Sequence, residues 1–268
     1  MFRGLSRFLR TNPVSVQRRM SHSSLDGKVA IVTASTDGIG LAAAQALGKR
    51  GAHVVVSSRR QANVDKAVAL LKSQSIRVTG TTCNVGKGED REKLVQLTVD
   101  QCGGIDILVS NAAVNPFFGN ILDSTEDVWD KILSVNVKAA FLLTKLVSLL
   151  ILQCLLGSVE RSCCVSLQGL GPYCVSKTAL LGLTRALAPE LAHSNIRVNC
   201  VAPGIIKTRF SSATVIVFFF SCSSCGKTKT LIGEPEEIGG TIAFLCSDDA
   251  SYITGETVTV TGGMSCRL

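Results

Sequence analysis

A short apolar run that leads into a glycine-containing turn constrains the fold most. Residues 28–33 are KVAIVT, which is typical of a buried strand, and residues 41–51 are LAAAQALGKRG, which favours a helix. Between them lies the turn ASTDGIG, residues 34–40. A glycine turn in this position lets the backbone approach a pyrophosphate that rests on the helix N-terminus. The sequence therefore predicts a dinucleotide site here.

The same alternation continues along the chain. Apolar, β-branched runs predict further strands over 52–57, 77–82, 105–110, 196–202 and 257–261, and a helix is predicted over 126–156. Strands that alternate with helices indicate a parallel sheet covered on both faces. We expect an α/β fold, a doubly wound parallel sheet of the Rossmann type, in a single domain over 26–268.

The two ends of the chain carry features of targeting segments. Residues 1–25 hold five arginines and no acidic residue, which is typical of a mitochondrial transit peptide or of a disordered basic tail. They account for most of the net charge of +8, so the rest does not favour nucleic-acid binding. The final Cys266-Arg267-Leu268 is a variant of a peroxisomal address. We expect a peroxisomal protein, with the mitochondrion as the alternative.

Metal binding and membrane spanning are not favoured. The chain has 11 scattered cysteines, and the pair Cys222 and Cys225 has no second pair and no histidine nearby. No metal site is therefore expected. The longest apolar run, residues 146–156, is too short to cross a bilayer.

The end of the second predicted strand indicates which dinucleotide is bound. It reads Ser57-Ser58-Arg59-Arg60, and no acidic residue follows before Asp65. A carboxylate here would bind the free ribose 2′-hydroxyl of NAD, whereas a guanidinium pairs with a 2′-phosphate. The pattern favours NADP(H), and the alternative is a pair of solvated arginines at the start of a helix.

Tyr173 and Lys177 are the candidate catalytic pair. They are four residues apart in a helical pattern, so they lie on one helix face. An ordinary tyrosine has a pKa of about 10, and a nearby ammonium lowers that pKa by stabilising the phenolate. The pair can therefore act as a general acid and base. The alternative is a surface pair without a function.

Four motifs in this order make the chain similar to the classical short-chain dehydrogenase/reductase family. They are TASTDGIG, Asn111-Ala112-Ala113, Tyr173-x-x-x-Lys177 and Pro203-Gly204-Ile205-Ile206-Lys207-Thr208. Segments such as GAHVVVSSR and GGIDILVSNAAVNPFFG further resemble a peroxisomal branch of carbonyl and retinal reductases. The resemblance implies NADPH as hydride donor, a ketone, α-dicarbonyl or retinal as the small-molecule substrate, and a homotetramer.

The resemblance also implies residue roles. Tyr173 would donate the proton, Lys177 would hold the nicotinamide ribose, and Asn136 would keep a helix open for a relay water. Ala34 replaces the usual first glycine, which is tolerable if its φ stays below zero. The implied cofactor contacts are Thr33, Ser35, Thr36, Asp37, Gly38, Ile39, Gly40, Ser58, Arg59, Arg60, Asn84, Val85, Asn111, Ala112, Ala113, Tyr173, Lys177, Pro203, Gly204, Ile206 and Thr208.

Segment 157–172 departs from the family pattern. The family has a serine about thirteen residues before the tyrosine, where this chain has Glu160. A strand that begins at Gly157 would put Cys164 in the serine's place, with Ser162 and Ser166 as the other candidates. Charged residues in a central strand are costly. We therefore expect either a strand shifted to 163–167 or a damaged sheet.

Segment 211–232 departs as well, because it is apolar and β-prone where the family has a charged lid. These two departures leave a second function open, a catalytically impaired relative that binds nucleotide or associates with other subunits. The third candidate function is that of an NAD-linked alcohol dehydrogenase.

Overall fold

The computed structural model describes residues 24–148, 151–158, 169–211 and 232–263, with only the backbone described over 151–158. Its principal strands are β1 (Val29–Val32), β2 (His53–Ser58), β3 (Val78–Thr82), β4 (Ile105–Ser110), β5 (Ile151–Ser158), β6 (Arg197–Pro203) and β9 (Thr257–Val260). Two short strands, β7 (Ile205–Ile206) and β8 (Ile232–Gly233), pair with each other. The helices are α1 (Gly38–Lys49), α2 (Gln61–Ser73), α3 (Gly88–Cys102), α4 (Glu126–Leu133), α5 (Ala139–Val147), α6 (Gly171–Ala192) and α7 (Pro235–Leu245), and a π-helical turn, Ser134–Lys138, joins α4 to α5.

The seven principal strands form one parallel sheet in the order β3-β2-β1-β4-β5-β6-β9. Alternate residues of a strand point to opposite faces of the sheet. Accordingly, Ala30 and Val32 of β1 pack in a cluster with α1 and α7, while Val29 and Ile31 pack in a cluster with α3 and α5. Helices cover both faces, so the predicted doubly wound fold is confirmed.

The predicted helix over 126–156 is wrong at its C-terminal end. Helical structure stops at Val147, and residues 151–158 form β5, which pairs with β4 and β6. The central register is Leu108 beside Leu155 and Leu155 beside Val198. A parallel strand buried on both faces reads as a continuous apolar run, which periodicity alone does not distinguish from a buried helix.

This placement of β5 also corrects the predictions of a strand that begins at Gly157, of a strand shifted to 163–167 and of a damaged sheet. β5 begins at Ile151 and fills the position between β4 and β6, and the sheet continues unbroken from β3 to β9. Glu160 and Arg161 follow β5 in sequence. Their own structure lies outside the described residues.

Within the described ranges, the structure contains no helix long and apolar enough to cross a membrane. The same ranges hold no group of three metal-ligating side chains. The pair Cys222 and Cys225 lies outside them.

Candidate active site

The glycine turn lies between β1 and α1, at the carboxyl ends of β1 and β4, where the strand order changes direction. Asp37 caps α1, since its Oδ1 accepts a hydrogen bond of 2.9 Å from the Gly38 N–H. A Cβ atom at Gly40 would lie 2.5 Å from the Ala34 carbonyl oxygen and 2.6 Å from Asn111 Nδ2. Only glycine lets the helix approach the turn this closely.

Ala34 corrects an expectation, because its φ is +49° and not negative. The left-handed region costs a non-glycine residue about 1–2 kcal/mol. Asn111 holds this conformation, since its Nδ2 donates to the carbonyl oxygens of Thr33 and Ala34 at 3.1 and 3.2 Å. The turn therefore stores backbone strain where the family has glycine.

Two of the predicted contacts, Thr33 and Ser35, are fully buried. Thr33 Oγ1 accepts from the N–H groups of Asn111 and Ala112 at 2.9 and 3.1 Å. Ser35 Oγ donates to the Val32 carbonyl and accepts from the Ser57 N–H. Their hydroxyls fix the shape of the turn and do not line the cleft beside it.

One end of the site is a recess of about 180 Å³ that begins at the glycine turn. Its wall includes the predicted residues Thr36, Asp37, Ser58, Arg59, Asn84, Val85, Ala112 and Ala113. Sequence reasoning missed Lys131, which α4 contributes to the same wall. Burial raises the pKa of the Cys83 thiol to about 11, with a further contribution from Asp90, so this wall residue is neutral. Arg60 is exposed at the N-cap of α2 and does not line the recess.

The other end is a cleft of about 390 Å³ that contains Tyr173 and Lys177. These side chains project from the first turns of α6 and are 1% and 3% exposed. Lys177 Nζ lies 5.5 Å from the centroid of the Tyr173 ring. The cleft also includes Ala34, Asp37, Gly38, Ile39, Asn111, Ala113 and Thr208. The structure thus brings the predicted pair to the glycine turn, 133 or more residues away in sequence.

Asn136 lies in the π-helical turn and is 2% exposed. Its Nδ2 donates to the Val114 carbonyl and to Ser176 Oγ, both at 3.0 Å, and its Oδ1 accepts from the Val114 N–H at 2.8 Å. Ser176 Oγ in turn donates to the Tyr173 carbonyl at 2.7 Å. Asn136 therefore connects the loop after β4 to the turn of α6 that carries Tyr173.

Two residues after the fourth motif were also missed. The Phe210 ring lies 5.8 Å from the Tyr173 ring at a tilt of 44°. Arg209 Nε lies 3.2 Å from Asp37 Oδ2, so this segment reaches from the glycine turn to Tyr173 and forms part of the cleft wall. Nothing in the local sequence marks either residue, because only the fold brings them to Asp37 and Tyr173.

The remaining predicted residues have other positions. Gly204 N–H donates to the Val260 carbonyl, and Ile206 is buried in the β7–β8 pair, so neither lines the cleft, nor does Pro203 at the end of β6. The candidates for the serine position, Ser162, Cys164 and Ser166, lie outside the described residues.

The chain matches known proteins over most of its length. The family model described as enoyl-(acyl carrier protein) reductase matches residues 33–265. The chain is 56% identical to dehydrogenase/reductase SDR family member 4 of Sus scrofa, over 97% of this chain and 94% of that protein. The chain belongs to the short-chain dehydrogenase/reductase family. The predicted resemblance to that family is confirmed, and the relative matched here is its member 4.

Other members of the family agree. Human member 4 is 57% identical over 91% of this chain and 90% of that protein. A crystal structure of a short-chain dehydrogenase/reductase from Mycobacterium marinum has a TM-score of 0.84 and 28% identity, covering 91% of this chain and 98% of that one. The chain is therefore an NAD(P)-dependent oxidoreductase that acts on small molecules.

The site fits the dinucleotide that the family uses. The recess and the cleft share Ala34, Asp37 and Ala113, so together they form one groove across the glycine turn. An extended ligand with a nucleoside at each end matches that shape. At its middle lies the N-terminus of α1, a position suited to a pyrophosphate.

Proposed function

We propose that the chain uses NADPH to reduce carbonyl compounds, namely ketones, α-dicarbonyls or retinal. The observation that carries the proposal is the burial of Tyr173 and Lys177 together in a cleft that begins at the glycine turn. A phenol beside an ammonium is suited to proton transfer to a carbonyl oxygen.

In this proposal, bound NADPH supplies the hydride that the carbonyl carbon accepts. Tyr173 donates its phenolic proton to the carbonyl oxygen, and the product is an alcohol. Lys177 stabilises the phenolate that remains. Asn136, acting through Ser176, holds the turn of α6 that carries the phenol. Phe210 packs on the Tyr173 ring and keeps bulk water from it.

The charges of the recess support NADPH over NADH. Arg59 and Lys131 line it, and Asp37 is its one acidic residue among those described. Asp37 already faces Arg209 at 3.2 Å, which offsets part of its charge. A 2′-phosphate beside Arg59 would gain charge-assisted hydrogen bonds that a 2′-hydroxyl does not make.

Two measurements on the same preparation test the proposal: NADPH oxidation with a simple α-dicarbonyl, and NADPH binding by fluorescence. Binding with turnover supports the proposal. Binding without turnover supports the alternative of a catalytically impaired nucleotide-binding or subunit-interaction protein. Tighter binding of NADH than of NADPH supports an NAD-linked alcohol dehydrogenase.

We also propose a homotetramer located in the peroxisome. Leu133, Phe141 and Val175 are large apolar side chains exposed on α4, α5 and α6, which favours association of copies. Light scattering on the purified protein tests the tetramer.

The C-terminal Cys266-Arg267-Leu268 supports the peroxisome. The alternative is the mitochondrion, which the arginine-rich N-terminus supports, and a human relative 49% identical to this chain is named a mitochondrial member 2. Removal of the last three residues from a fluorescent fusion should abolish peroxisomal location, whereas mitochondrial location should depend on residues 1–25.

A further inference from the structure

The loop after β4 packs directly on the start of the helix that carries Tyr173. We call residues 117–122 the apolar loop; its sequence is FFGNIL. The Gly119 N–H donates to the Gly169 carbonyl at 3.0 Å. A Cβ atom at Gly171 would lie 2.6 Å from Ile121 Cδ1 and 2.8 Å from both Ile121 Cγ1 and Cβ. The Ile121 side chain therefore occupies the space that any side chain at Gly171 would need.

The backbone does not require glycine at position 171. Gly171 begins α6, and its φ is not in the left-handed region, unlike that of Gly169, which is +89°. Alanine at a helical position of this kind ordinarily stabilises a protein, because glycine loses more conformational entropy on folding. Glycine at position 171 is thus explained by the contact with Ile121, which leaves no space for a side chain.

The apolar loop has its own anchor on the next helix. Ser124 Oγ donates to the Ile121 carbonyl at 2.5 Å, and Trp129 Nε1 of α4 donates to Ser124 Oγ at 2.9 Å. Asn120 Oδ1 accepts from the Leu122 N–H at 3.0 Å. The backbone of Ile121 is therefore tied to α4 through Ser124, and a shift of this backbone away from Gly171 would strain these bonds.

The first turn of α6 is consequently fixed from two directions. Asn136 holds Ser176, and through it the Tyr173 carbonyl, while Ile121 packs on Gly171, two residues before the phenol. We propose that the contact between Ile121 and Gly171 positions Tyr173 in the cleft, so that both are positioning residues for proton transfer. This inference rests on the proposed role of Tyr173 as proton donor.

The test adds a methyl group on one side of the contact and removes side-chain atoms on the other. Gly171→Ala adds a methyl group where Ile121 lies, and we expect kcat to fall about ten- to hundred-fold, since a displacement near 1 Å can cost that much. Ile121→Ala leaves a gap at a loop position that is 41% exposed, so this variant should fold, and its kcat should fall about three-fold. The double variant fills the gap with the new methyl group and should recover most of the loss.

Gly182→Ala is the matched control. Gly182 lies in the same helix, and a Cβ atom there meets nothing within 4 Å. It should leave kcat unchanged. NADPH affinity, measured by fluorescence, should stay within about two-fold in every variant, because the glycine turn is not part of the contact.

A second readout does not need activity. The chain has two tyrosines, and Tyr252 is fully exposed, so Tyr252→Phe leaves Tyr173 as the single tyrosine. The 13C resonance of labelled tyrosine then reports the phenol titration directly. In Gly171→Ala the midpoint should differ from that of the parent, because a displaced first turn of α6 changes the distance between the phenol and the Lys177 ammonium. In the double variant it should return toward the parent value.

The outcomes separate the two proposals. A wild-type chain that binds NADPH without turnover overturns the proposed function, while the tyrosine titration still decides the positioning contact. The inference is overturned if Gly171→Ala matches Gly182→Ala in kcat and titration, or if the double variant is no better than Gly171→Ala. If Gly171→Ala does not fold, Ile121→Ala decides: an unchanged kcat and titration would contradict the inference.

Discussion

The glycine turn at the middle of the groove and the catalytic end of the groove are built over different lengths of sequence. The cofactor turn comes from consecutive residues, 33–40, whose backbone and buried hydroxyls shape it. The catalytic end is assembled from α6, the π-helical turn, the apolar loop and the segment with Arg209 and Phe210. A local site tolerates changes elsewhere in the chain, whereas an assembled site depends on each contact that brings its parts together.

The largest effect is expected at the assembled end. Tyr173→Phe removes the proposed proton donor and keeps the ring that packs on Phe210. Turnover of an α-dicarbonyl should fall by about 10²- to 10⁴-fold, the range of general acid catalysis, while NADPH still binds. A steady-state assay and a fluorescence titration check this. Retained turnover would show that the catalytic group lies elsewhere. The contrast between the glycine turn and the catalytic end would then no longer hold.

At the glycine turn, Gly40→Ala should weaken cofactor binding. The added methyl group would lie 2.5 Å from the Ala34 carbonyl oxygen and 2.9 Å from Ser35 Cα, and these backbone atoms cannot rotate aside as a side chain can. Overpacking of this kind costs about 1–3 kcal/mol, which corresponds to about 5- to 150-fold in NADPH affinity. Gly240→Ala is the control, because a Cβ atom there meets nothing within 4 Å. Equal NADPH affinities of Gly40→Ala and Gly240→Ala in a binding titration would contradict the close contact between α1 and the turn.

Selectivity between the two dinucleotides should depend on one side chain of the recess. Arg59→Ala is expected to weaken NADPH binding about ten-fold and to leave NADH binding unchanged, since only NADPH carries the 2′-phosphate. Arg60→Ala should have the smaller effect, because Arg60 does not line the recess. Parallel Kd measurements with both dinucleotides check this prediction, and an equal loss for NADPH and NADH would contradict it.

The smallest effect concerns the strain in the local turn. Ala34→Gly should raise the free energy of unfolding by up to about 1 kcal/mol, because glycine adopts a φ of +49° without the Cβ penalty, partly offset by its greater freedom in the unfolded chain. Urea denaturation measures it. A lower free energy of unfolding for Ala34→Gly than for the parent would contradict this prediction. It would show that the hydrogen bonds from Asn111 already offset the backbone strain at Ala34.

The fold is predictable from the sequence where its signal lies in consecutive residues, and it is not where the structure depends on distant contacts. The strand, turn and helix at residues 28–51 were predictable because the pattern is contiguous. The sequence of the run before Gly157 predicts a helix, because a nearly continuous apolar run carries no period-2 signal of a strand. The positive φ of Ala34 could not be read from the local sequence, because the Asn111 side chain that holds it follows β4, 77 residues further along the chain.

The site shows the same limit. Tyr173 and Lys177 were predictable from their spacing and from the family motifs, since both lie on one helix. Lys131, Arg209, Phe210 and Ile121 were not, because no local pattern marks a residue whose role depends on a partner far away in sequence. The glycines of α6 show it most clearly: Gly171 and Gly182 look alike in sequence, and only their surroundings differ.

The strand order has a consequence for the chain during its synthesis. β1, β2 and β3 are adjacent and are made first, but the free side of β1 is covered only when β4 is complete at Ser110. At about 5–20 residues per second, the unpaired backbone edge of β1 stays uncovered for about 4–16 s after Val32 is made. A nascent polypeptide that stalls before residue 105 should therefore self-associate through that edge or require a chaperone.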